Sequence, residues 1–337
     1  MAFNTMEPAQ KCFNRIKNNN LDSLWFKAII RPFIIPRKIW KMQKNSMDSL
    51  ALIDLHIHTS ASDGTFSPKE IVRLAKGKGL RAVSITDHDT VGGNKEATKA
   101  GTEIGLEVVP GVEISVEWEG RPVHILGYYI DVENEVLQST LQNLIDFREE
   151  RNPQIIKRLN SLGLNISYEE VKAIAGNGIA IGRPHFAQVL IEKGYVKNGD
   201  EAFKKYLKRG GPAYVEKKRL TPNEGIQLIK NVSGIPVLAH PYNIDGIKNR
   251  DLEYFILQFK GMGIEGIEVF YPLHNPQQTL KLKAFAEKHG LYITGGTDFH
   301  GEQKPDIQIG SGFGALRIPY ELIIKMREKH EGKNPKK

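Results

Sequence analysis

The sequence of 337 residues contains a single cysteine, Cys12. A disulfide framework within the chain needs at least two cysteines and a cysteine-rich zinc module needs more, so both are excluded. Any metal site must therefore use histidine, aspartate and glutamate side chains. Long apolar runs are also lacking, because the apolar stretch at 25–40 is interrupted by charged residues and two prolines. That stretch is neither a signal-peptide core nor an integral membrane segment.

Excess charge is nearly absent from most of the chain, although the formal net charge is +8. Residues 1–47 hold nine Lys or Arg against one Glu and one Asp, a net charge of +7, which leaves the remainder near +1. The charge of the remaining chain therefore gives no reason to predict a partner such as duplex DNA. A basic segment with aromatic residues could bind an anionic membrane or RNA. We expect instead a disordered leader, or translated sequence upstream of a start at Met47.

From residue 50 onward, short apolar, β-branched runs alternate with helical patterns, which predicts an α/β fold with βα units around a parallel sheet. Residues 67–70 and 221–224 each combine an N-cap, a proline and a capping-box glutamate, and so predict helix starts. The predicted strands are 51–57, 81–86, 107–114, 122–130, 235–239, 264–270 and 291–296.

Between 134 and 212 the chain has helical patterns only, at 135–162, 167–175, 184–193 and 199–208, which predicts an inserted helical subdomain. We expect one more helix near 320–330. The predicted organisation is a leader at 1–47, a barrel built from 48–133 and 213–330, the insertion at 134–212, and a frayed tail at 331–337.

Metal-binding side chains recur at or beside these strands. His56 and His58 are two residues apart, so an extended strand presents both imidazoles on one face. Active sites of (β/α) barrels gather at the carboxyl ends of the strands, where such residues can meet. Each of the later histidines could be structural, but together they predict one polynuclear metal site. The candidate ligands are His56, His58, Asp63, His88, Glu113, His124, His240, Asp298 and His300.

The order of these residues resembles the PHP (polymerase and histidinol phosphatase) family over roughly residues 50–135 and 213–320. The resemblance implies a distorted, TIM-like (β/α)7 barrel that holds two to three divalent ions, with manganese, zinc and iron all compatible with the ligands. It further implies catalytic roles for Glu113, His240 and His88. The implied groups are His56, His58, Glu113 and Asp298 for the first ion, Glu113, His124 and His240 for the second, and Asp63, His88 and His300 for the third.

The ligand set implies hydrolysis of phosphate esters without a protein nucleophile. Two divalent ions about 4 Å apart lower the pKa of a shared water and clamp the attacking and leaving oxygens. The inserted helices and the motif at 182–185 resemble a PHP subgroup that hydrolyses nucleoside 3′,5′-bisphosphates and degrades short RNA from its 5′ end. We expect a cytoplasmic enzyme of that kind. Its candidate substrate contacts are Arg148, Arg151, Asn152, Arg183, His185 and Asp63.

Two alternatives stay open. A histidinol-phosphate phosphatase would share the metal site, but that group usually has a different layout between the fourth and fifth strands. A non-catalytic PHP module associated with nucleic acid would typically have lost ligands, whereas all nine are present here. Metal analysis of the purified protein separates this module from the two enzymes.

Overall fold

The computed structural model describes residues 52–175, 181–215, 219–248 and 250–333. The predicted leader at 1–47 lies outside these ranges, as does the end of the chain from residue 334. Residues 331–333, which we expected to begin a frayed tail, belong to the last helix. No helix in the described ranges combines the length and apolar character needed to cross a bilayer.

Seven strands form one sheet whose spatial order follows the sequence. After the last strand the chain hydrogen bonds back to the first: His58 N donates to Phe299 O (2.9 Å), and Asp298 N donates to His56 O (2.8 Å). The fold is therefore the distorted (β/α)7 barrel predicted from the sequence. Its strands are β1 (Ile53–Ile57), β2 (Ala82–Ile85), β3 (Glu107–Trp118), β4 (Arg121–Tyr128), β5 (Ile235–Leu238), β6 (Gly266–Phe270) and β7 (Tyr292–Gly295).

The expectation of a wholly parallel sheet is wrong at β4, which pairs antiparallel with both β3 and β5. β3 runs to Trp118, beyond its predicted end at 114, and only Glu119 and Gly120 separate it from β4. Both of these residues have positive φ, 48° and 77°, as a two-residue type I′ hairpin turn requires. So short a connection joins only antiparallel strands, since a parallel crossover needs roughly a dozen residues or more.

The predicted helix starts are confirmed. Ser67 accepts a hydrogen bond from Glu70 N while the Glu70 carboxylate accepts from Ser67 N, and Thr221 and Glu224 form the same capping box. The described helices are α1 (Pro68–Gly77), α2 (Asn94–Ile104), α3 (Glu135–Ser161), α4 (Tyr168–Ala175), α5 (Arg183–Glu192), α6 (Gly199–Ala202), α7 (Pro222–Asn231), α8 (Leu252–Met262), α9 (Pro276–His289) and α10 (Glu321–Lys333).

Helices α3 to α6 occupy the stretch where only helices were predicted, and a π-helical turn at Phe203–Leu207 ends it. Buried apolar side chains between 155 and 215, Phe186 and Leu190 among them, form a cluster separate from those around the barrel strands. An inserted subdomain needs a hydrophobic core of its own, so this separate cluster agrees with the predicted insertion. The boundaries at 134 and 212 stay a prediction.

The packing of α2 on β3 offers a test of the fold. At Gly101 in α2, a Cβ atom would approach Val108 Cγ2 to 2.6 Å and Leu106 O to 2.7 Å. We expect Gly101→Ala to lower the free energy of unfolding by ~1–3 kcal/mol, because the strand must shift to admit the methyl group. At Gly77, the last residue of α1, a Cβ would meet nothing within 4 Å.

Gly77→Ala is therefore the matched control, expected to be neutral or to stabilise by ~0.4–1 kcal/mol. Denaturant unfolding followed by circular dichroism measures both variants. Equal effects of the two substitutions would contradict the close packing of α2 on β3.

Candidate metal centre

The strands bring all nine candidate ligands to one end of the barrel. His56 lies on β1 and His58 directly follows it, while His240 and Asp298 lie just beyond the carboxyl ends of β5 and β7. β4 runs in the opposite direction, so this end receives its amino-terminal half. His124 therefore reaches the same site from the middle of a strand, where it pairs with Ser115 of β3.

Glu113 lies at the centre of the cluster, on β3, with 1% of its surface exposed. Its Oε2 lies 3.3 Å from His56 Nε2 and 3.1 Å from His58 Nε2. Its Oε1 lies 3.0 Å from His124 Nδ1 and 3.3 Å from His240 Nε2. The two oxygens of one carboxylate thus face two different sets of imidazoles, as a carboxylate that bridges two ions would.

Asp63 lies close to a third group of histidines. Its Oδ1 lies 3.4 Å from His58 Nδ1 and 3.5 Å from His300 Nε2, and its Oδ2 lies 3.9 Å from His88 Nε2. His300 Nδ1 contacts the carbonyl oxygen of Asp298 (2.8 Å), so it carries the proton and leaves Nε2 for an ion.

Two histidines are shared between groups. His58 is close both to Asp63 and to the group formed with His56 and Asp298. His88 Nδ1 lies 3.1 Å from Glu113 Oε2, so His88 can also join Glu113 and His124. The three groups implied by the resemblance are therefore compatible with these positions, but the distances allow other divisions of the same ligands.

Several buried polar atoms of the cluster lack a hydrogen-bond partner among the described residues. Leaving such an atom unsatisfied costs roughly 1–3 kcal/mol. A divalent cation satisfies imidazole nitrogen and carboxylate oxygen together, and manganese, zinc and iron all accept these donors. The residues present therefore fit a metal centre. The atoms are His56 Nε2, His58 Nδ1 and Nε2, His88 Nδ1, Glu113 Oε2 and His240 Nδ1.

Burial and mutual charge oppose each other in this cluster. Burial lowers the pKa of His56, but the nearby carboxylates of Glu268, Glu113 and Asp298 outweigh that effect and raise it to about 10. For Glu113, burial raises the pKa, yet the surrounding histidines hold it well below its usual range. Histidines that stay protonated, such as His56, thus keep the buried carboxylates ionised. Metal ions take over that role when they bind and displace protons.

Glu268, which is fully buried on β6, was not predicted from the sequence. Its Oε1 accepts a hydrogen bond from His56 Nδ1 (3.0 Å), and its Oε2 accepts one from His240 N (2.8 Å). One carboxylate thus orients a candidate ligand on each side of Glu113. The signal available in the sequence was a lone acidic residue inside the apolar run 266–270, since a buried charge requires a partner.

Two further residues that were not predicted hold Asp298. Tyr271 donates its hydroxyl to Asp298 Oδ2 (2.9 Å), and Lys304 Nζ lies 2.7 Å from the same oxygen. Asp298 Oδ1 is left to face His58 Nε2 at 3.2 Å. Asp298 and His240 have φ of 54° and 28°, a region that non-glycine residues rarely adopt and that is enriched at functional sites.

The candidate substrate contact Arg183 opens α5. Its Nη1 donates to Leu207 O (2.9 Å), and its guanidinium lies over the Tyr214 ring at 5.2 Å. Burial lowers the pKa of His185, two residues further on, while the carboxylate of Asp63 opposes that shift. The first turn of α5 therefore lies within electrostatic reach of the metal cluster, which contains Asp63 itself.

The other candidate substrate contacts lie on α3. Asn152 Nδ2 donates to Ile181 O (3.2 Å), and Arg151 Nη2 donates to Asn152 Oδ1 (3.3 Å). Both side chains are buried, and they join α3 to the segment just before α5. The side chain of Arg148 lies outside the described part of the structure. Contact of these residues with a substrate stays a prediction.

Comparison with known proteins places this geometry in a family. The PHP domain family matches residues 54–216. A 5′-3′ exoribonuclease of Haemophilus influenzae is 36% identical over 249 residues, which cover 73% of this chain and 89% of that protein. The chain belongs to the PHP family.

Two further comparisons agree with this assignment. A 3′,5′-nucleoside bisphosphate phosphatase of Chromobacterium violaceum is 35% identical over 251 residues, 74% of this chain and 88% of that protein. A solved amidohydrolase structure from the same organism, with bound sulfate and no metal, superposes with a TM-score of 0.68 at 34% identity, covering 77% and 90% of the two chains. PHP proteins are metal-dependent hydrolases, so the predicted class, a metal-dependent phosphoesterase, is confirmed and the non-catalytic alternative is set aside.

Glu268 provides a test of how the centre is held. We expect Glu268→Gln to weaken manganese binding ~10–100-fold, the typical effect of losing a partner that orients a metal ligand. The amide can no longer offer a charged acceptor to His56. Metal content measured by mass spectrometry after dialysis against buffered manganese gives the affinity, and circular dichroism checks folding.

Glu265→Gln is the matched control, because Glu265 precedes the same strand and pairs with Lys329 (2.6 Å). It should bind manganese as the wild type does. A folded Glu268→Gln variant with wild-type affinity would show that Glu268 does not position the ligands.

Proposed function

We propose that this PHP protein removes the 3′-phosphate from nucleoside 3′,5′-bisphosphates and degrades short RNA from the 5′ end, using two to three divalent ions. The observation that carries the proposal is the position of Glu113, whose two carboxylate oxygens face different sets of imidazoles. The proposed ligands are the nine residues predicted from the sequence, and manganese, zinc and iron all suit them. The substrate class follows the names of the two relatives.

Divalent ions in such a centre supply Lewis-acid activation of the phosphate and of the attacking water. The protein supplies position and charge. Glu113 fixes two ligand groups at a set separation, and Glu268 orients one histidine of each. Burial lowers the pKa of His88 to about 3, so its imidazole is neutral at pH 7 and offers a lone pair.

Exposure within the cluster indicates the side from which the substrate approaches. The side chains of His56 and His58 are fully buried, whereas those of His124 and Asp63 are each 27% exposed. Lys304 is also partly exposed, beside Asp298. An anionic phosphate ester therefore meets the centre at the face formed by His124, Asp63 and Lys304.

The proposal is tested by assaying three substrates side by side with manganese. We expect turnover of a nucleoside 3′,5′-bisphosphate and of a short 5′-phosphorylated RNA, little turnover of histidinol phosphate, and loss of all activity with a chelator. Glu113→Gln should retain less than about a tenth of the wild-type rate, because a bridging ligand contributes several kcal/mol to transition-state stabilisation. Fastest turnover of histidinol phosphate would instead favour the alternative phosphatase.

A second prediction concerns Arg183 as the site for the distal phosphate. We expect Arg183→Ala to raise KM for a 3′,5′-bisphosphate about tenfold or more, because a charge-assisted hydrogen bond contributes roughly 1.5–3 kcal/mol. Hydrolysis of an aryl phosphate, which lacks a second anion, should change little. Because Arg183 lies at the start of α5, the helix dipole there also favours binding of an anion.

The control separates charge from folding. Arg158 also anchors Tyr214, through its backbone carbonyl, so Arg158→Ala disturbs the same inserted helices. It should leave KM for both substrates unchanged. If Arg158→Ala and Arg183→Ala have the same effect, Arg183 supports the insertion rather than the phosphate.

A further inference from the structure

A cavity of about 520 Å³ opens between the segments that follow β6 and β7. Both strands are parallel to β5, so the cavity lies at the end of the barrel that carries the candidate metal ligands. Its lining is mainly aromatic and apolar, and it includes Tyr271, His274, Phe313 and Arg317.

Tyr271 connects the cavity to the metal centre. It lines the cavity, its hydroxyl donates to Asp298 Oδ2 (2.9 Å), and its ring centroid lies 5.4 Å from that of His240. A single tyrosine side chain thus contacts two candidate ligands and forms part of the cavity wall. Tyr271 thus forms a wall that the cavity shares with the metal centre.

His274 carries an unsatisfied hydrogen-bond acceptor. Its Nδ1 lies 3.0 Å from Val269 O, and because a carbonyl only accepts, Nδ1 holds the proton. Burial lowers the pKa of His274, so the ring is neutral and Nε2 has a free lone pair. His274 is only 8% exposed, and its Nε2 has no hydrogen-bond partner in the described part of the chain. Nε2 is itself closed to solvent, so a ligand that supplies an N–H satisfies it once the ring turns toward the cavity.

Phe313 offers a stacking surface at the same place. Its side chain is 56% exposed although it is large and apolar, and it lines the cavity. The cation in the lining, Arg317, donates its Nη1 to the carbonyls of Gly314 and Leu316. The lining therefore favours a flat, uncharged group over a second phosphate.

We propose that this cavity binds the nucleobase of the substrate, with Phe313 stacked on the base and His274 Nε2 accepting one of its N–H groups. A base combines a π face with polar atoms at its edge, which matches both features of the lining. The proposal rests on the function proposed above, since it assigns the part of a nucleotide that the metal centre does not contact.

The test compares adenosine 3′,5′-bisphosphate with the abasic 1-deoxyribose 3′,5′-bisphosphate, with manganese present. We expect the wild-type protein to have a KM at least tenfold lower for the substrate that carries a base. Phe313→Ala should raise that KM about fivefold or more, as expected for loss of one stacking contact, and leave kcat and the abasic substrate unchanged. Tyr254→Ala is the control, because Tyr254 is an exposed aromatic residue on α8 (66%) that does not line the cavity.

A third substrate, purine riboside 3′,5′-bisphosphate, tests His274. Its base lacks the amino group of adenine and has no N–H donor. We expect the wild type to prefer adenosine, and His274→Phe to abolish the preference while the abasic KM stays the same. Thermal unfolding shows whether this buried variant folds, and Phe313→Ala tests the cavity independently of it.

The outcomes separate this proposal from the proposed function. Equal KM for the adenosine and abasic substrates in the wild type would overturn the base site while leaving the phosphatase intact. Failure to hydrolyse either substrate would overturn both. An unchanged KM in Phe313→Ala would overturn the base site. A lower sedimentation coefficient of that variant would then assign the surface to a contact between copies of the chain.

Discussion

The buried carboxylate of Glu113 is the constraint on which the site depends. A charge in the interior is costly unless cations or hydrogen-bond donors surround it. Here imidazoles on two strands, β1 and β4, and in the segments that follow β1, β2 and β5 meet its two oxygens. His124 reaches Glu113 Oε1 from within a strand because the antiparallel β4 begins at this end of the barrel.

Carboxylates next to the candidate ligands hold the loops in place. Asp54 accepts hydrogen bonds from the backbone N and the hydroxyl of Thr297 and from Gly310 N. It thereby ties the segment that carries Asp298 to β1. Asp87 does the same for the loop after β1 through Thr59. The acidic residues of this end of the barrel therefore form two sets, one that faces the centre and one that fixes the backbone around it.

The strands, the helix starts and the cluster of histidines at strand ends could be predicted because their signals are local. The (β/α)7 barrel and the grouping of the nine ligands came from the resemblance to the PHP family. The antiparallel β4 was missed because an apolar run carries no direction, although the Glu119-Gly120 turn was a signal. Glu268, Tyr271 and Lys304 were missed for another reason. Glu268 and Tyr271 contact ligands that lie far from them in the chain, which spacing does not reveal. Lys304 is only six residues from Asp298, but no helix or strand of regular spacing joins the two.

The two proposed substrate-recognition elements lie beside different members of the metal cluster. The charge of Asp63 acts on His185 in the first turn of α5, whereas Tyr271, which lines the cavity, donates its hydroxyl to Asp298. Metal ligands recognise only the phosphate, which every phosphate ester shares. Selectivity must therefore come from groups outside the centre, and in our proposals the inserted helices and the loops after β6 and β7 supply them separately. On these proposals, the chemistry at the metal centre stays the same while a change in either element alters which substrate binds.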